Sequence, residues 1–360
     1  MQLNLGTDAA SIQMTITVFM IGYAFSMLIA GPLSDSIGRK HVLFYGLILY
    51  FFATLMCAFT QSIHGLIIAR FLQALGGCCG TVVTRVMVKD AYPETKQIQI
   101  LAHMSSAMAI CPLVIPILGG VLQTYLGWRS SFYFLSLFGF LLFIIGKKSL
   151  QETPSASQPF SLKQLLINYK MLLTHKHFLG YSLTIGFAWC IYFTFTLESP
   201  FIIQTFFKMS AVSFGAIFSL VVCGYLIGTS LTKRYANLIG WDKLILIATF
   251  LCLTGAMTMA ICSSLLTLNW MLIAFPMIWI MSGVGIIIPC TQAAVMQPFP
   301  QIAGTASGLF FFIQMAFGAI CGLIMQTFNN ITPAPMIILM VIASMLLFIS
   351  FFYFIWRSKG

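Results

Sequence analysis

The chain has 360 residues, 60% of them apolar and 7% charged, and its 18 Lys+Arg against 7 Asp+Glu leave a net charge of +11. A soluble domain carries roughly 25% charged residues. A composition this poor in charge, with a mean hydropathy of +0.99, argues against a cytosolic enzyme, a nucleic-acid binder or a secreted disulfide scaffold and places the chain in lipid.

In chain order, residues 12–32, 42–62, 64–86, 98–122 and 130–147 are predicted membrane-spanning helices, each near the ~20 apolar residues a bilayer requires. A polar connection over 148–178 follows, opening Lys147-Lys148-Ser149-Leu150-Gln151-Glu152-Thr153-Pro154. Within it, Leu162, Leu165, Leu166, Tyr169, Leu172 and Leu173 recur at helical spacing, with Lys163, Asn168 and Lys170 off the stripe. This pattern predicts either an amphipathic helix on the membrane surface or an ordinary linker helix. Six further spans follow at 179–199, 212–232, 244–263, 268–290, 303–326 and 335–356. Short turns make most neighbours antiparallel, and the strand alternation of a membrane β-barrel is missing. The first apolar run lacks the basic start of a cleavable leader.

The basic residues cluster on one side. With the 33–41 loop in the cytoplasm, fifteen lysines and arginines fall inside and only Arg129 and Lys208 outside, with Arg70 within a span. This bias accounts for the net charge and predicts an outer N-terminus and a cytoplasmic C-terminus. All ten cysteines lie in apolar runs and read as small core or lipid-facing residues. No Cys/His spacing suits a metal, and no nucleophile–base pair or phosphate loop appears, so neither an enzyme nor a cofactor is expected.

Three segments depart from plain apolar spans. Gly31-Pro32-Leu33-Ser34-Asp35-Ser36-Ile37-Gly38-Arg39-Lys40 places two glycines, an acid and two bases at a predicted membrane edge. The glycines permit a tight helix–loop–helix turn, and Asp35 can pair with a base or sit at a helix N-terminus. Ile67-Ile68-Ala69-Arg70-Phe71-Leu72-Gln73 sets Arg70 roughly 9 Å below the outer loop. At that depth an arginine faces a partner or a wet cavity, or else snorkels to the interface. In Cys111-Pro112-Leu113-Val114-Ile115-Pro116-Ile117-Leu118-Gly119-Gly120, the two prolines share a helix face and free backbone groups there. Gly119 and Gly120 allow close helix contact.

These segments resemble, in order, the loop signature G-x-L-x-D-x-x-G-R-K, the fourth-helix buried-Arg motif and the fifth-helix antiporter motif of the major facilitator superfamily. Ser36 stands where that loop usually has a base, and Cys111 replaces the glycine of the antiporter Gly-Pro pair. Gly31-Pro32-Leu33-Ser34-Asp35, Arg85 with Asp90, Pro112 with Pro116, and Glu198-Ser199-Pro200-Phe201 together look like its bicyclomycin-resistance (Bcr/CflA) drug:proton antiporter branch. Gly228 to Arg234 followed by Gly240-Trp241-Asp242-Lys243 looks like a degenerate second copy of the first loop.

The resemblance implies an all-α membrane protein of the major facilitator fold, with two helical bundles and eleven spans here where the family has twelve. The expected divisions are an N-terminal bundle over 1–147, a linker over 148–178 and a C-terminal bundle over 179–360. Residues 1–10 resemble the outer loop after the family's first helix, so that helix is expected to be missing, with Met1 internal to a longer protein. The implied activity is alternating-access, proton-coupled efflux of small amphiphilic drugs across a bacterial inner membrane. The implied partners are the drug, protons and lipid, with no nucleic acid and a monomeric state. A proton-coupled metabolite transporter, for a sugar or amino acid, and an inactive truncated membrane protein are the alternatives.

The site residues implied are Gly31, Asp35, Gly38, Arg39 and Lys40 for gating, with Asp35 latching near Gly304. Arg70, Gln73 and Glu198 are candidates for buried charge and coupling. Pro112, Pro116, Gly119 and Gly120 form the antiporter-type helix, and Arg85 with Asp90 a cytoplasmic charge network. Gly76-x-x-x-Gly80, Gly224-x-x-x-Gly228, Gly304-x-x-x-Gly308 and Gly318-x-x-x-Gly322 are candidate small-residue seams.

Overall fold

A computed structural model of the chain describes residues 5–92, 94–150, 162–299, 302–328 and 332–357. Among them are twelve α-helices and no strand. They are α1 Ala9–Ile37, α2 Arg39–Phe59, α3 Ile63–Ala91, α4 Glu94–Leu126, α5 Arg129–Ser149, α6 Leu162–Thr174, α7 Lys176–Phe201, α8 Ala211–Ile239, α9 Trp241–Leu265, α10 Met271–Met296, α11 Ala303–Gln326 and α12 Pro333–Phe351. Wider π-helical turns, Ile202–Phe206 and Phe352–Trp356, extend α7 and α12.

Ten of these helices are long and apolar enough to cross a membrane, and α4 adds the shorter apolar stretch Val114–Leu126 among the described residues. Their outward faces carry large apolar side chains such as Phe52, Phe138, Phe250, Phe275 and Trp279. Lipid can solvate such a surface and water cannot. Of the connection expected at 148–178, residues 151–161 lie outside the described residues. The rest contains α6, where Leu172 is buried while Leu162, Leu166 and Leu173 are exposed.

Helix starts follow local chemistry. Asp8, Ser62 and Ser210 each accept a hydrogen bond from the backbone N–H three residues on, at Ser11, Gly65 and Ser213, at distances of 2.9, 3.1 and 3.0 Å. At the end of α2, Arg129 donates to the carbonyls of Ala58 and Thr60 at 3.0 and 2.9 Å. A cation there satisfies the last carbonyls and complements the helix dipole.

The chain forms two compact units, Met1–Cys111 with Leu122–Ile167, and Pro112–Val121 with Asn168–Gly360. In the first, α3 packs on both α1 and α2, and α2 packs on α5. In the second, α10 packs on both α8 and α9, and α9 packs on α12, while α7 packs against α11 and α12. The same arrangement of packed neighbours thus occurs in both units. A single glycine joins α1 to α2 and another joins α8 to α9: Gly38 at φ 98° and ψ 142°, Gly240 at φ 83° and ψ 154°. A side chain is strained at such a positive φ, which explains why both turns keep glycine. The weak second copy of the loop motif therefore has the backbone shape of the first.

The small-residue seams are realised selectively. A Cβ on Gly224 or Gly228 would run into the carbonyls of Ile278 and Ser282, and one on Gly285 into that of Tyr225, so α8 and α10 touch backbone to backbone. A Cβ on Gly76 would meet the Gly46 carbonyl and the Tyr50 nitrogen, each at 2.5 Å, whereas one on Gly80 would meet nothing within 4 Å.

This contrast fixes a sign. Gly228→Ala is expected to lower stability by about 1–3 kcal/mol through backbone overpacking. Gly80→Ala is expected to leave it unchanged or raise it, because alanine favours the helix by about 1 kcal/mol. Thermal melts of the two variants in the same detergent check the pair. At the start of α1, the Ser11 side chain and N–H hold the Asp8 carboxyl below its ordinary value of 3.8. Its capping contribution is complete above that ordinary value and is lost as pH falls through the lowered one. Hydrogen exchange at the Ser11 amide is expected to show extra opening, beyond the intrinsic pH effect, only in strongly acid solution.

Candidate functional site

Polar residues at three places in the spans and their edges define the site candidates. The first lies where α1, α2 and α3 meet. Gly38 turns the chain so that Arg39 opens α2 with its side chain buried. Arg39 donates through Nε to Asp90 Oδ2 at 3.1 Å and through Nη1 to Ser34 Oγ at 2.6 Å. Ser34 in turn donates to the Gly31 carbonyl at 2.7 Å. The line Gly31–Ser34–Arg39–Asp90 ties the end of α1, the start of α2 and the end of α3 with one guanidinium.

Arg85 and Asp90, grouped together by sequence, are five residues apart and so about 140° round the helix from each other. Asp90 pairs with Arg39 across the helices. Lys40 lies 5.8 Å from the centre of the Phe44 ring. The side chain of Asp35, together with Gly304, belongs to the positions left undescribed, so the latch between them falls there as well.

The second place is within α3. Arg70 donates to Gln73 Oε1 at 2.6 Å, one turn on along the same face. Gln73, buried, donates to Thr54 Oγ1 of α2 at 2.9 Å, and Thr54 donates to the Tyr50 carbonyl at 2.5 Å. The guanidinium lies over the Phe19 ring of α1 at 4.3 Å and within 5.9 Å of Phe132 of α5. Among the described residues Arg70 thus has an amide oxygen and two aromatic faces in place of a carboxylate. The sequence marked Arg70 and Gln73, and the structure brings them together. It missed Thr54 and Phe19, whose trace is a hydroxyl in the middle of the apolar run 42–62 and an aromatic in the first span.

The third place is the second unit. Glu198 is buried near the end of α7, beside Ser199 and the in-helix Pro200 and just before the π turn. Ser199 lines a small, otherwise apolar cavity of about 10 Å³ with Phe195, Ile203 and Trp270 among its walls. The stretch Pro112–Val121 of α4 also belongs to this unit. Its Pro116 carbonyl stands 2.6 Å from where a Cβ of Gly215 would lie, and the Ala211 carbonyl stands 2.5 Å from the corresponding point on Gly120. These two glycines let α4 and α8 meet at the backbone, whereas a Cβ on Gly119 would meet nothing within 4 Å. Gly215 was not foreseen. The side chain of Pro112 is another of the positions left undescribed.

Apolar helices of spanning length mark a multi-pass membrane protein. Residues 1–323 match the model of the Major Facilitator Superfamily, and the chain belongs to that family. It is similar to the bicyclomycin resistance protein homolog of Haemophilus influenzae, at 24% identity over 339 residues, covering 94% of this chain and 85% of the relative. It is similar to multidrug resistance protein D of Escherichia coli, at 25% over 310 residues, 85% of this chain and 77% of the relative. A shorter match joins it to a chloramphenicol resistance protein of Pseudomonas aeruginosa, at 37% over 134 residues, 37% of this chain and 32% of the relative. These names agree with the bicyclomycin-resistance branch indicated by the motifs.

The ion pair at the C-terminal end of α3 gives a direct test. Asp90→Asn removes a carboxylate that accepts from the mostly buried Arg39. It is expected to cost about 2 kcal/mol, read as a lower melting temperature of the purified protein. Ser34→Ala, which removes one neutral partner of Arg39, is expected to cost about half as much.

Proposed function

We propose that the chain exports small amphiphilic drugs across a bacterial inner membrane in exchange for protons, by alternating access, as a monomer. The drug class rests on the relatives, which are named for resistance to bicyclomycin, chloramphenicol and multiple drugs. The observation that carries the coupling is Arg70. Its charge sits within a span, held by Gln73, Phe19 and Phe132. A guanidinium has five donors and cannot release its proton. In a low-dielectric interior it favours the ionised form of any acid that approaches it and so drives proton release there.

Glu198 is the proposed proton carrier. It is buried in a span, and a carboxyl there can hold one proton or give it up. Outward opening would wet and load it, and inward opening would release the proton as drug binds. The backbone contact of Gly120 and Gly215 supports a role for the Pro112–Gly120 stretch as the seam on which helices rock. Arg39, Lys40 and Asp90 would brace the cytoplasmic edge, with Arg85 nearby on α3. The excess of lysine and arginine on one side supports an inner C-terminus.

Expression in an efflux-deficient bacterial host tests this reading. Cells carrying the chain are expected to accumulate several-fold less chloramphenicol than cells without it, and a protonophore is expected to erase the difference. Glu198→Gln is expected to abolish proton-driven efflux while the protein remains in the membrane. Undiminished efflux by that variant removes Glu198 as the proton carrier, and efflux indifferent to the protonophore removes proton coupling.

A further inference from the structure

The second unit has a cavity of about 420 Å³ at the ends of three spans. Its walls include Gly240, Trp241, Asp242 and Lys243, at the turn from α8 to α9, and Ile355 and Trp356, at the last turn after α12. The span Ala211–Ala236 runs to this turn, Trp241–Leu265 starts from it, and Pro333–Trp356 ends beside it. Ends of spans lie at the depth of lipid headgroups. They are also on the side whose loops carry most of the basic residues.

Charge around the cavity is mostly of one sign. Lys243 is exposed, and no acid pairs with it among the described residues. Lys233 and Arg234 near the end of α8, and Arg357 just after Trp356, are exposed as well. Asp242 is the one acid in the segments 228–243 and 351–357. It accepts from the Tyr181 hydroxyl at 2.6 Å, which ties it to α7. The cavity thus combines an ammonium with two indoles, rings suited to the boundary between apolar chains and headgroups.

The surface leading away from the cavity is apolar. Lys243, Ile247 and Phe250 are four and three residues apart, so they share one face of α9, and Ile247 and Phe250 are exposed. On α12, Phe348 meets the Phe250 ring at 4.9 Å, and it stacks on Phe352 at 6.0 Å. From Lys243 to Phe250 this track descends roughly 10 Å along the helix, into the hydrocarbon layer. Acyl chains can lie along such a track, whereas a free phosphate ion gains nothing from it.

We propose that this cavity binds an anionic phospholipid, with its phosphodiester on Lys243 and its acyl chains along Ile247, Phe250 and Phe352. A net negative headgroup is favoured over a zwitterionic one because bases outnumber the acid, and each base near the surface adds to the attraction. The bound lipid ties the turn between α8 and α9 to the end of α12. The proposal is independent of the export reading, since it needs neither a drug nor a proton.

The test uses the full chain purified in a mild non-ionic detergent. It is titrated with dioleoyl phosphatidylglycerol, phosphatidylcholine or phosphatidylethanolamine, and bound lipid is counted by native mass spectrometry. The parent is expected to retain one phosphatidylglycerol and several-fold less of either zwitterionic lipid. Lys243→Gln, a neutral residue at an exposed position, is expected to weaken phosphatidylglycerol roughly fivefold and to leave phosphatidylcholine within about twofold. Lys208→Gln makes the same change of charge before the other end of α8 and is expected to bind as the parent does. Glycerol phosphate, a headgroup without chains, is expected not to compete. Four results each overturn the proposal: a parent that retains a zwitterionic lipid as well as phosphatidylglycerol, no loss in Lys243→Gln, an equal loss in Lys208→Gln, or competition by glycerol phosphate as strong as by the lipid.

Discussion

A polar group inside a bilayer has only the protein to turn to. Water is absent, and an unpaired donor or charge there costs several kcal/mol. The first unit meets this constraint by chaining its groups together. Arg70 leans on Gln73, Gln73 on Thr54 and Thr54 on a backbone carbonyl, so one charge draws three helices into register. A satisfied network of this kind rigidifies its surroundings.

Where no polar group intervenes, shape decides. Lipid gives apolar side chains no reason to prefer a neighbouring helix, so association depends on close van der Waals approach. The glycines of α8 and α10 supply it at Gly224, Gly228 and Gly285, and those of α4 and α8 at Gly120 and Gly215. The repeated turn at Gly38 and Gly240 belongs to the same economy of space. Each reverses the chain within one residue and brings a third helix onto the pair.

Much of this was legible in the sequence because it depends on local pattern. Runs of about 20 apolar residues mark the spans, and the conformation of Gly38 follows from a glycine at the end of a loop motif. Arg70 and Gln73 were both marked, within one fourth-helix segment. What sequence could not supply was rotation about each helix axis. That rotation puts Thr54 and Phe19 beside Arg70, faces Gly215 toward Pro116, and turns Asp90 toward Arg39. It also separates Gly76, which is packed on α2, from Gly80 four residues later, which is not. A GxxxG spacing specifies a face and leaves its partner open.

The guanidinium of Arg39 grips the ends of α1, α2 and α3 at a single point. Three rods pinned at a common joint behave as one lever. A push delivered to any of them at the far side of the membrane reaches the other two through that joint, and a conservative lysine, with one ammonium in place of a fork, would let the rods slip past one another.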